Sequence, residues 1–299
     1  MVYENTHLWA AEEIKNRLKN KKIAEIIAAN ADHYLLGAIF PDTLYFNKEE
    51  KIRNFANFLH GETGVPTNTF VFEILDRIKG THDAKNLAFI CGFLTHCAMD
   101  IVFHPVVFYL SGYEPKSGPK GQLQSSYLHW YYETLIDKHF NKGVFLEEKV
   151  KVAAAWDLVI PKYPNISRQT IIDSLKKQIS YFKRIHSRLF YMIYRMLAII
   201  GFIEKKWVAG FYANLNVEDK FLPDVLHYKD IISGEDRDTA LEDLMENGIN
   251  MGIQMIEAAY DYYAGNISKD WCERTVVGYN LDTGRFGKTK EDIRLSLKS

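Results

Sequence analysis

The chain has 299 residues, 47% hydrophobic and 25% charged, with 37 lysines and arginines against 38 aspartates and glutamates. That length is ample for a large core in one or two domains, and the composition is that of a globular protein. The charge balance gives no general attraction to nucleic acid or an anionic membrane, which weighs against a nuclease, and three cysteines (Cys91, Cys97 and Cys272) make no disulfide framework.

Helical periodicity dominates. The first seven residues lack a basic region followed by an apolar run, so no signal peptide is visible and a cytoplasmic location is expected. A helix is expected over 6–29, with Thr6 as N-cap. Gly37 and Pro41 end the next segment and put Asp42 in a loop or at a helix start. Residues 48–60 carry Ile52, Phe55, Phe58 and Leu59 at helical spacing, and 66–79 read as a helix stopped at Gly80. The longest apolar pattern is 83–110, broken only by Lys85, Asn86, His96, Asp100 and His104. The Gly- and Pro-rich stretch 111–121 reads as a loop bordering a site, and a helix follows at 123–141. Further patterns run at 146–159 and 167–205. Within the second, 189-LFYMIYRMLAIIGFI-203 falls short of the ~20 residues that span a bilayer. It reads as a buried core helix, with an interfacial helix flanked by Arg184, Arg188, Lys205 and Lys206 as the alternative. Residues 214–235 are irregular, 236–263 are helical, and the polar tail 273–299 is expected to be partly disordered. With no repeat and no strand alternation, the expected fold is all-α: one domain over 1–272 plus the tail, with a site set between helices.

Two helices carry rows of metal-capable side chains. In 95-THCAMDIVFHP-105, His96, Asp100 and His104 are spaced i, i+4, i+8, and His129 and Glu133 repeat the i, i+4 step. Residues four apart share a helix face. His96 and His104 lie about 12 Å apart along the axis, at about 1.5 Å per residue, too far to share one ion. Asp100 lies between them with two oxygens, so it could bridge, and the row argues for at least two metals. Imidazole and carboxylate without thiolate suit catalytic zinc, and adjacent zinc ions suit phosphoester hydrolysis. On so apolar a helix these polar groups are costly to bury unless paired or bound to metal.

Thr6-His7, 37-GAIFPD-42, His60-Gly61, 92-GFLTHCAMDIVFHP-105 and His129-xxx-Glu133 together resemble the zinc-dependent phospholipase C family, whose fold is shared with S1/P1 nucleases. The resemblance covers roughly the first half of the chain. It implies a multi-helix bundle with two to three Zn2+ ions. Asp42, His60, His96 and Asp100 would hold one, His104, His129 and Glu133 a second, and His7 with Asp100 a third. The family's free N-terminal amine would correspond to Val2 after loss of Met1. Asp42 is the implied general base, with direct attack by metal-activated water as the alternative.

The expected activity is phosphodiester hydrolysis of phospholipase C type on a phospholipid or related phosphodiester. A single-strand nuclease on the same fold and a non-catalytic zinc-stabilised helical protein are the alternatives. Transient contact with a membrane surface is possible and stable nucleic-acid binding is not expected. Choline-preferring relatives use aromatics and an N-terminal glutamate. Here Thr43 follows Asp42 in place of an aromatic, leaving Tyr45, Phe46, Phe58, Tyr113, Tyr127 and Glu4 as candidates. Asp32, Glu62 and Asp83 are candidate partners for histidine N–H groups.

Overall fold

The computed structural model describes residues 3–141, 143–159, 166–215, 222–294 and 296–297. Helix dominates, as the periodicity requires. The run expected at 6–29 is two helices, α1 (Glu4–Arg17) and α2 (Lys21–Ala29), parted where the Asn20 side chain caps the second by accepting from Lys22 and Ile23 N–H. Thr6 is no N-cap: it lies in the first turn of α1 and its hydroxyl donates to Asp137. Pro41 does not end α3 (Ala31–Thr43), so Asp42 is helical. A proline one turn from a helix end forgoes a single hydrogen bond, and burial of α3 against the core outweighs it.

Next come α4 (Glu50–Leu59), α5 (Asn68–Ile78) and α6 (Ala84–Leu110), the last capped by Asp83, whose carboxylate accepts from Asn86 N–H. α6 is long and apolar enough to cross a membrane, yet it runs buried through the centre of the bundle. α3 crosses it at unusually close range. A Cβ on Gly92 would lie 1.9 Å from the Tyr34 carbonyl oxygen, and one on Gly37 2.0 Å from that of Phe89. Only glycine on both sides permits that approach.

α7 (Pro119–Phe140) opens with proline in its first turn and so takes in part of the stretch read as a loop. After α8 (Leu146–Lys149) the pattern expected at 167–205 is again two helices, α9 (Arg168–Ile185) and α10 (Arg188–Ile199), because Ser187 caps the second. α11 (Lys206–Ala209) packs on α7. The region read as irregular holds β1 (Val225–Lys229), and β2 (Asp236–Ala240), at the start of the stretch expected to be helical, pairs with it as an antiparallel hairpin, Val225 facing Ala240 and Lys229 facing Asp236. Its β2 residues are Asp-Arg-Asp-Thr-Ala, which show no alternation. Cross-strand pairs such as His227 with Asp238 at 2.7 Å hold it instead. α12 (Leu241–Tyr263) flanks α6, and α13 (Lys269–Glu273) leads into the tail.

The tail, read from composition as partly disordered, packs on the bundle through its described residues. Leu281 N–H donates to the His60 carbonyl at 2.9 Å, Asn68 donates to Val276 and Thr67 to Tyr279. Pro105 in α6 has no N–H for the Ile101 carbonyl, and the tail passes over that carbonyl. A Cβ on Gly284, at φ +63°, would stand 2.6 Å from it.

Candidate metal centre

Each candidate ligand is delivered by a definite element. His7 stands in the first turn of α1, which Asn5 and Thr6 fasten to α7 by donating to the buried Asp137 carboxylate at 3.3 and 2.7 Å. Burial pushes Asp137 up to about 6, although Tyr212, Thr6 and Asn5 all donate to it. Asp42 lies in the last turn of α3, and His60 closes α4. His96, Asp100 and His104 share a face of α6, with His129 and Glu133 one turn apart on α7. All are buried except the partly open His129.

The backbone fixes three tautomers. Nδ1 of His60 lies 2.8 Å from the Ala56 carbonyl oxygen, that of His96 3.0 Å from Ala38, and that of His104 2.9 Å from Leu281. A carbonyl only accepts, so each Nδ1 carries a proton, and in the neutral ring it is Nε2 that offers a lone pair inward.

Inside, the eight groups converge. His60 Nε2 is 3.1 Å from Asp42 Oδ1, His96 Nε2 3.1 Å from Asp100 Oδ2, and His7 Nε2 3.3 Å from Asp100 Oδ1. His104 Nε2 lies 3.8 Å from Asp100 Oδ1 and 3.7 Å from Glu133 Oε1, and His129 Nε2 is 2.8 Å from Glu133 Oε1. With His60 Nε2 also 3.8 Å from its Oδ2, Asp100 sits at the hub, facing four imidazoles. The His7 and His96 rings stack with centroids 4.0 Å apart.

The His60–Asp42 contact is a hydrogen bond, but other atoms of the cluster are close without one. Nε2 of His7, His96 and His104, Oδ2 of Asp42 and both oxygens of Asp100 are buried without a hydrogen-bond partner. Each such atom costs roughly 1–3 kcal/mol if nothing satisfies it. Three groups have their ligand atoms within 4.8 Å of one another: His7, His96 and Asp100; Asp42, His60 and His96; and His104, His129 and Glu133. Ligand bonds of about 2.0–2.2 Å fit such spacings, and the nitrogen and oxygen donors suit zinc. The residues fit two or three ions. Val2, expected to bring its amine to the third, lies outside the described residues.

The charges agree. Burial opposes the imidazolium of His60, but Asp42 and Asp100 overcome it and push its pKa up to about 9. Burial also opposes ionisation of Asp100, yet His96 and His7 hold it well below the usual carboxylate range. Burial pushes Glu133 up to about 8 and His129 well down. Among the described residues no lysine or arginine nitrogen comes within 4.0 Å of Asp42 or Asp100, and imidazoles are the groups that face both carboxylates. Lys290 is committed to Glu62 at 2.7 Å and Asp282 at 3.8 Å.

A cavity of about 310 Å³ opens over His60, His104, His129 and Glu133. Tyr45, Phe46 and Tyr113 line it as sequence neighbourhood suggested; Tyr3, Trp130, Tyr181 and Trp207 join them, whereas Phe58 and Tyr127 are not among its walls. Glu4 lines it too, accepting from Gln178 at 3.0 Å, and burial with the nearby Asp42 pushes its pKa well up. The suggested histidine partners are corrected. Asp83 caps α6, and Glu62 accepts from Tyr45 at 3.2 Å and pairs with Lys290. Backbone carbonyls orient the rings, with Asp282 Oδ1 3.6 Å from His104 Nδ1. Asp282 and Leu281 went unread because they lie in a polar tail far from any ligand in sequence. His33 faces Asp157 at 3.9 Å and His139 faces Glu242 at 2.9 Å, neither touching the centre. Cys91 and Cys97 are buried and in no disulfide, and burial pushes both thiols up.

An all-α bundle with a buried imidazole–carboxylate cluster beneath an aromatic cavity has the build of a metal-dependent hydrolase. The chain belongs to the zinc-dependent phospholipase C family: the family profile described as zinc dependent phospholipase C matches residues 6–198. That match takes in all eight candidate ligands and stops before the tail. No curated protein and no solved structure matches the chain.

Proposed function

We propose that the protein is a phosphodiester hydrolase of phospholipase C type, cleaving a phospholipid or a related phosphodiester on the glycerol side. The observation that carries this reading is the cluster of buried, inward-facing nitrogen and oxygen donors, of which His60, His104, His129 and Glu133 line a cavity walled by aromatic rings. Asp42, His60, His96 and Asp100 would hold one zinc, His104, His129 and Glu133 a second, and His7 with Asp100 a third. Bound there, zinc supplies an activated water and neutralises charge on the phosphoryl oxygens.

The chain's own residues do the rest. Asp42 is the candidate base, with Oδ1 on His60 and Oδ2 free of hydrogen bonds. The carbonyls of Ala38, Ala56 and Leu281 keep the rings from turning, so the donors stay fixed while charge develops. Trp130, Tyr181 and Trp207 shelter the reacting end from water and give acyl or headgroup carbons an apolar wall.

The test measures zinc per chain on protein never exposed to chelator, then hydrolysis of a short-chain monomeric phosphatidylcholine and of single-stranded DNA. Two or three zinc ions with lipid turnover are expected. DNA hydrolysis alone would select the nuclease reading. Bound zinc with neither activity would leave a zinc-stabilised helical protein.

A further inference from the structure

We propose that the outward face of α10 docks the protein on an anionic lipid surface. The sequence favours a buried helix at 189–203, and the structure overturns that reading: α10 has no buried residue. Its inner face is aromatic, with Tyr194 packed on Phe211 at 4.9 Å between centroids. Its outer face is aliphatic. Leu189, Met192, Met196, Ile199, Ile200 and Phe202 are 57–78% exposed, the first four at helical spacing. A contiguous apolar patch left to water marks an interaction site.

Charge selects the occupant. Residues 174–203 hold six lysines and arginines and no acidic residue, within a chain of net charge −1. Arg188 and Arg195, on α10 itself, are exposed. A second copy would bring like charge against like, whereas anionic headgroups complement the cations while acyl chains take the aliphatic ridge. The ridge is also continuous with the site. α11 follows it directly, and Lys206 and Trp207 of α11 line the cavity. Docking on α10 therefore brings lipid to the cavity mouth. Only this last point rests on the proposed phospholipase activity.

The experiment is co-sedimentation with vesicles of equimolar phosphatidylcholine and phosphatidylglycerol, and with phosphatidylcholine alone. The protein is expected to bind the mixed vesicles more tightly and to weaken in high salt. Arg188→Glu/Arg195→Glu and Met192→Asp/Met196→Asp are each expected to weaken binding on the order of tenfold or more. Both should leave the melting temperature and the turnover of short-chain lipid unchanged. Wild-type protein that ignores both vesicles, or variants that bind like wild type, would overturn the proposal. So would light scattering that shows a dimer dissolved by Met192→Asp/Met196→Asp, which would give the face to a second copy. Vesicle binding without hydrolysis of short-chain lipid would keep the docking surface and reject the phospholipase activity.

Discussion

Gly92→Ala tests whether the crossing of α3 and α6 builds the metal centre. The new Cβ would lie 1.9 Å from the Tyr34 carbonyl oxygen, whereas real contacts of this kind stay above 3.0 Å, a shortfall of about 1.1 Å. The obstacle is backbone in a buried helix, so the helices must part. One turn further along, His96 Nδ1 reaches across the same crossing to Ala38 at 3.0 Å, and a shift on the order of 1 Å breaks that bond. Overpacking costs about 1–3 kcal/mol and the lost hydrogen bond about 1 kcal/mol, while replacing a helical glycine returns up to about 1 kcal/mol. The net loss of about 1–3 kcal/mol lowers the melting temperature by about 2–5 °C in a chain this large. With His96 unmoored, zinc content should fall as well. Thermal melts and metal analysis read both effects. Gly252→Ala is the control: its close contact, at 2.6 Å, is the terminal carbon of the Ile14 side chain rather than backbone, and a change within about 2 °C is expected. A Gly92→Ala protein with wild-type melting and zinc would refute the idea that this contact sets the position of His96.

Asp42→Asn should keep most of its zinc while phosphodiester turnover falls about 10²–10⁴-fold, as expected on losing a general base; zinc lost in parallel would make Asp42 a ligand only. Asp282→Asn weakens the support of His104 from the tail and should cut the affinity of one metal equivalent about 10–100-fold in chelator competition, leaving the others unchanged. Asp230 accepts from Ser233 and Ile232 N–H and pairs with Arg285 at 2.7 Å, and although burial opposes ionisation these partners bring its pKa down to about 2. A depressed carboxylate stabilises the fold above its unfolded value and loses that contribution as pH falls through about 4 towards 2. Asp230→Asn should therefore lower stability by about 1–2 kcal/mol at neutral pH, a difference that shrinks below pH about 4 in denaturant titrations.

The helices, the row His96, Asp100 and His104 and the pair His129 and Glu133 were legible from local periodicity, whereas His7, Asp42 and His60 became candidates only through the family resemblance. His96, Asp100 and His104 follow the helix repeat, and apolar positions mark α6 throughout. What escaped was decided by long-range contact. Pro41 reads as a stop, and only burial against α6 explains why α3 runs through it to Asp42. Gly37 and Gly92 stand in the motif, but their purpose as a backbone crossing appears only when the helices meet. The apolar run at 189–203 reads as core because hydropathy does not say which face a neighbour covers. The partners of the imidazoles could not be read at all, since three are backbone carbonyls and one of those is contributed from residue 281.

That last bond sets an order of events. His104 takes its orientation from a carbonyl 177 residues later in the chain, and α1 reaches α7 through Asp137 across 131 residues. Synthesis at about 5–20 residues per second leaves α6 waiting many seconds for the segment that aims its last histidine. Metal capture at His104 would thus wait until synthesis has passed residue 281, and loading would act as a checkpoint on whether both ends have reached their places.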